Sequence, residues 1–127
     1  MSRILVVEDD PHTLRVISLW LSRQGHEVLE ARDGAAALEL FEQHQPAILI
    51  TDINMPVLDG LGLLQRVKGH EHRPRGIVVL TNRWDHKEIG QSLSDQGVRM
   101  IPKPFSPTKL AELIGALDVE ASPRTTT

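Results

Sequence analysis

The apolar run Ala47-Ile48-Leu49-Ile50 passes through Thr51 and stops on Asp52, and that junction constrains the fold more than any other stretch. Apolar residues at every position, rather than every second one, mark a strand buried on both faces. The residues that follow, among them Asn54, Pro56, Asp59 and Gly60, belong to loops and helix starts. A carboxylate therefore stands where a buried strand meets solvent. In parallel α/β sheets that edge is where ligands bind.

The same grammar repeats along the chain. Arg3 to Val7 is a second such run, ending in Glu8-Asp9-Asp10. Pro11 suits a first helical turn, and Asp9 or Asp10 can cap it. From His12 to Gln24, Leu14, Ile17 and Leu21 recur at helical spacing, with Val16 and Trp20 widening the face, and Gly25 ends the helix. Glu27 to Ala31 reads as a shorter strand interrupted by Glu30. Asp33-Gly34 opens a second helix, with Ala35, Leu38, Leu40 and Phe41 inside it. Gly60 to Lys68 is a third, carrying Leu61, Leu63, Leu64 and Val67. Beyond a polar loop at 69–76, Ile77 to Leu80 is a strand ending in Thr81-Asn82. Trp84 to Gln96 is a weakly anchored helix with Ile89 and Leu93, and Val98 to Ile101 is a fifth strand broken by Arg99. Ser106 can cap a last helix running through Leu117. Residues 119–127 have no hydrophobic period and read as a disordered tail or the start of a linker, leaving residues 1–118 as the domain.

Five strands alternating with five helices require a parallel sheet covered on both faces, a doubly wound α/β fold. The unbroken first, third and fourth runs belong in the centre, and the second and fifth, with Glu30 and Arg99, at the edges. With right-handed crossovers the order becomes 2-1-3-4-5, which puts the switch point between strands one and three. Their carboxyl ends carry Glu8, Asp9 and Asp52.

Composition narrows the classes. At 127 residues the chain suffices for one domain. A net charge of −3 without a basic cluster argues against a nucleic-acid surface. The absence of cysteine removes disulfides and thiolate metal sites, and it fits a cytoplasmic location. No apolar run is long enough to span a membrane, and Met1 leads straight into a strand, with no room for a signal peptide.

Three carboxylates at one edge repel, each unit-charge pair 4 Å apart costing roughly 4 kcal/mol at an effective dielectric of about 20. Such a cluster calls for protonation or a cation, and oxygen-only donors select Mg²⁺, Mn²⁺ or Ca²⁺ over zinc. Thr81 ends the neighbouring strand, and Lys103 follows the fifth. Acids, a hydroxyl and an ammonium together suit a phosphoryl group beside a divalent ion.

Taken together, Val7-Glu8-Asp9-Asp10, the stretch Asp52 to Gly60, Val79-Leu80-Thr81 and Lys103-Pro104-Phe105 resemble a response-regulator receiver domain of two-component signalling, similar to the chemotaxis regulators. The likeness covers residues 3 to about 117. It implies the flavodoxin-like version of the doubly wound fold. It also implies that Asp52 accepts a phosphoryl group from the phosphohistidine of a histidine kinase or phosphotransfer protein. Asp9, with Glu8 behind it, would hold Mg²⁺ (Mn²⁺ can substitute) together with Asp52 and the carbonyl of Asn54. Lys103 and Thr81 would contact phosphoryl oxygens, and the Lys103–Pro104 bond would be cis. The implied output is a switched protein-binding face made of the 85–96 helix, the fifth strand and the last helix. That face would be read by a downstream protein or a fused output domain, with no direct nucleic-acid or membrane contact by this domain and a homodimer allowed.

The sequence departs from the family pattern at the switch. Met100 holds the place of a common aromatic, Asn82 that of a small residue after Thr81, and Trp84 follows close by. The switch residues are therefore Thr81, Asn82, Trp84 and Met100. A turnover enzyme, a Mg²⁺-dependent phosphohydrolase of the haloacid-dehalogenase kind, would need a second acid two residues after the nucleophile, where Asn54 stands. A degenerate receiver that binds partners without phosphorylation would not need the intact Glu8, Asp9, Asp52, Thr81 and Lys103 set, although Met100 and Asn82 suit it. The six histidines read as solvated or packing residues, and His70 with His72 lacks the third ligand a metal site needs. Asp10 reads as a cap rather than a ligand.

Overall fold

The five apolar runs pair, all in parallel, into one sheet of order β2-β1-β3-β4-β5, with β1 at Arg3–Val7, β2 at Glu27–Ala31, β3 at Ile48–Asp52, β4 at Gly76–Thr81 and β5 at Val98–Pro102. The computed structural model describes residues 2–52, 60–72, 74, 76–81, 98–102 and 106–121. Within them lie helices α1 (Pro11–Arg23), α2 (Gly34–His44) and α3 (Gly60–Lys68), and a C-terminal helix, Pro107–Ala121. The expected 84–96 helix and the Lys103–Pro104 bond lie outside the described residues.

Strand alternation explains why the central runs are aliphatic throughout. Ile4, Val6, Ile48, Ile50, Val78 and Leu80 face one layer, against Leu14, Ile17 and Leu21 of α1 and Leu110, Ala111 and Ile114 of the C-terminal helix. Leu5, Val7, Leu49 and Val79 face the other, against Ala37 and Phe41 of α2 and Leu63 and Val67 of α3. No position on β1 after Arg3 is free to be polar until the strand ends. The edges behave as their composition requires: Glu27 and Glu30 on β2 and Arg99 on β5 are exposed.

Local chemistry sets the helix ends. Asp10 caps α1, accepting from the Thr13 amide at 3.3 Å, and Asp33 caps α2, accepting from the Ala36 amide at 2.8 Å. Gly25, at φ 91°, ends α1 in the left-handed region, and the amides of Gly25 and His26 bond back to Ser22 and Leu21. Gln45 does the same after α2 at φ 47° without glycine's freedom. The C-terminal helix, expected to stop at Leu117, continues to Ala121, so residues 119–121 of the expected tail are helical. Val119, Glu120 and Ala121 contain no breaker, and the first residue disfavoured in a helix is Ser122, because Pro123 follows it.

At the end of the sheet where β1 begins, Arg3 bonds Glu27 at 2.7 Å and the His44 carbonyl at 2.9 Å. Three of the histidines, His26, His70 and His72, make local packing or hydrogen-bond contacts. His70 meets Phe41 edge-on at 5.2 Å between ring centres, and His72 lies tilted at 5.4 Å. The His72 amide donates to His70 Nδ1 at 3.1 Å, and its Nε2–H donates to the Pro46 carbonyl at 2.7 Å. His26 is buried, with Nδ1 accepting from the Ser2 amide at 3.1 Å.

Candidate functional site

Register builds the site. Val7 pairs with Thr51, so Glu8 and Asp52, the next residues on two adjacent strands, leave the sheet side by side. Asp52 pairs with Leu80, which places Thr81 one step beyond, and Thr81 pairs with Pro102, the residue before Lys103. Glu8 is fully buried, Asp52 is 6% exposed and Asp9 is exposed. One carboxylate oxygen from each of the three lies within 4.8 Å of the others, the one such acidic cluster among the described residues.

The Glu8-Asp9-Asp10 run divides its work. The Glu8 amide extends the β1–β2 ladder to the Ala31 carbonyl at 3.0 Å, and its Oε1 accepts from the Asp10 amide at 3.3 Å, fastening the turn into α1. Asp10 is occupied as the cap. The Thr13 hydroxyl donates to its carboxylate, and this bond holds the Asp10 carboxyl below its ordinary value. Asp9 alone of the three reaches outward beside Asp52.

The donor set fits a hard divalent cation. All three donors are carboxylates, two are buried where ionic repulsion is least screened, and no nitrogen or sulfur ligand belongs to the group. Thr81 and Met100 occupy the neighbouring strands β4 and β5, with Met100 paired to Val79, two residues before Thr81. Asn54, Asn82, Trp84 and Lys103 lie outside the described residues.

Sequence reading passed over Thr51. It is fully buried, and its hydroxyl donates to the Asp52 carbonyl at 2.9 Å. The available signal was a hydroxyl at the end of an aliphatic strand, where valine has the same shape.

A five-stranded parallel sheet of order 2-1-3-4-5 with acids at its switch point defines a flavodoxin-like domain whose ligand edge is built for charge. Residues 4–115 match the response regulator receiver domain family, and the chain belongs to it. Receiver domains are not turnover enzymes of the ordinary kind. Among its relatives, the response regulator GtcR of Aneurinibacillus migulanus is 34% identical over 113 residues, 89% of this chain and 46% of that protein. The chain spans under half the length of the curated relatives it matches, several of which are named as transcriptional regulators. The chemotaxis response regulator CheY4 of Vibrio cholerae superposes with a TM-score of 0.80 at 27% identity, covering 92% of this chain and 98% of that one. The receiver domain of the sensor histidine kinase PA1611 from Pseudomonas aeruginosa, solved with a magnesium ion coordinated in its active-site cleft, gives 0.76 at 26% identity, covering 91% and 96%. No described helix is long and apolar enough to cross a membrane.

Proposed function

We propose that the domain, residues 1–118 with the helical extension to Ala121, is a phospho-acceptor switch in which Asp52 takes a phosphoryl group from the phosphohistidine of a histidine kinase or phosphotransfer protein. The observation that carries this reading is the Glu8–Asp9–Asp52 cluster at the switch point of a receiver fold. The magnesium ion in the active-site cleft of the PA1611 receiver supports a divalent cation for the Glu8–Asp9–Asp52 cluster of this chain. Asp9 and Asp52 would hold Mg²⁺ directly, with Glu8 behind them and the Asn54 carbonyl as a further donor. When bound, the ion neutralises the acids and draws the phosphoryl oxygens toward Asp52.

The remaining work falls to the chain. An Asp52 carboxylate oxygen attacks phosphorus, the P–N bond to the donor imidazole breaks, and an aspartyl phosphate remains. Water later cleaves it. Little covalent chemistry is required, so positioning and charge neutralisation suffice. Lys103 supplies a point charge and Thr81 a hydroxyl to the phosphoryl oxygens. We read the output as passing from Thr81 through Asn82 and Trp84 into the 85–96 segment, with Met100 an adaptable filler in place of a two-state aromatic. A downstream protein or fused output domain would read that segment together with β5 and the C-terminal helix.

The test is intact-mass measurement after incubation with acetyl phosphate and Mg²⁺. The wild type gains one phosphoryl mass, and Asp52→Asn gains none. Equal gain by the two proteins would move the acceptor elsewhere.

A further inference from the structure

The polar group in β3 that the cluster leaves unexplained is the Thr51 hydroxyl. Ile48, Leu49 and Ile50 before it are aliphatic and fully buried, and Thr51 is paired with Val7 on one side and Val79 on the other. A valine there would match its shape and shed a hydroxyl whose burial is unfavourable unless it is bonded. The bond recorded for that hydroxyl goes to the carbonyl of the very next residue, Asp52, at 2.9 Å in buried surroundings.

That bond bridges the backbone torsions on either side of the Asp52 Cα. It therefore restrains the direction in which the Asp52 side chain leaves the strand. Strand pairing alone holds this position less firmly than the middle of β3, because the β1–β3 register stops at Thr51 and Asp52 is paired on one side only, with Leu80 of β4. The carboxylate must nevertheless stay within 4.8 Å of the Glu8 and Asp9 oxygens. We propose that Thr51 is a positioning residue for Asp52, its hydroxyl fixing the Asp52 main chain so that the carboxylate is already aimed at the cation and phosphoryl site. This rests on the phospho-acceptor reading above, and the two are tested separately.

Thr51→Val keeps the shape and removes the donor, whereas Thr51→Ser keeps the donor and removes a methyl group. Mg²⁺ affinity by calorimetric titration, phosphorylation rate by intact mass and melting temperature are measured for both variants and the wild type. Affinity and rate should follow the hydroxyl: Thr51→Val falls about three- to tenfold in each, the span of one intramolecular hydrogen bond, and Thr51→Ser stays near the wild type. Melting temperature should follow packing instead, with Thr51→Ser losing stability for its missing methyl group. Wild-type affinity and rate in Thr51→Val, or equal loss in Thr51→Ser, would overturn the proposal. A wild type that binds Mg²⁺ but takes no phosphoryl group would defeat the acceptor reading, and the affinity comparison would still decide the role of Thr51.

Discussion

Neutralising Asp9 should make the metal-free protein more stable while removing its response to Mg²⁺. The size follows from the cluster. For unit charges 4.8 Å apart, each pair costs about 3.5 kcal/mol at an effective dielectric of 20 and about 0.9 in water. Asp9 is exposed, so the lower figure applies, and its two pairs with Glu8 and Asp52 together cost about 2 kcal/mol when all three are ionised. Against this, Asp9 lies just before the N-terminus of α1, where a negative charge contributes about 0.3–1 kcal/mol. Relief of repulsion wins by roughly 1 kcal/mol, a rise of about 4 °C for a domain of this size. Thermal melts of Asp9→Asn and wild type, with chelator and with excess Mg²⁺, read both effects. Near 1 M salt, where the Debye length is about 3 Å, the metal-free gain should shrink. A variant that melts lower without metal, or that keeps the wild-type Mg²⁺ shift, would refute the reasoning.

Phe41→Ala, which empties the centre of the α2–α3 layer and removes the surface that His70 and His72 pack on, should cost about 3–5 kcal/mol in urea denaturation. A loss below 1.5, as in volume-conserving swaps, would mean that the site collapses readily. Gln45→Gly should stabilise by roughly 0.5–1 kcal/mol, because release of the left-handed strain at φ 47° exceeds glycine's entropy cost; a lower melting temperature would count against it. Asp10 gains its bonds as a carboxylate and its folded value lies below the ordinary 3.8. Its contribution is therefore complete above that value and lost as pH falls through the lower folded one. The stability gap between wild type and Asp10→Asn should stay flat from neutral pH to about 5 and close below 4; a gap that widens on acidification would reverse the sign.

The fold was legible because burial on both faces leaves its mark at every position of a strand. Ile4 to Val7 and Ile48 to Ile50 cannot be exposed on either side, and the acids that end these runs locate the ligand edge. Glu30 and Arg99 disclosed the edge strands for the complementary reason. What stayed hidden depended on contacts between residues far apart in sequence or on single hydrogen bonds. His72 reaching Pro46, His26 accepting from Ser2, and Thr51 bonding the neighbouring carbonyl leave no periodic trace. The end of the C-terminal helix differs for another reason: hydrophobic spacing reports the face a helix buries, and it does not mark where the backbone stops being helical.

The pairing of β1 with both β2 and β3 has a consequence for synthesis on the ribosome. β2 follows β1 closely, but Ile4 meets Ile48 only after roughly forty further residues have been made, several seconds at about 5–20 residues per second. For the last part of that interval, from Ala31 to Ile48, β1, with Ile4 to Val7 aliphatic throughout, has one partner and one open edge. The emerging chain is thus most exposed to mispairing before β3 arrives, and the sequence element that closes this window is the one that ends in Asp52.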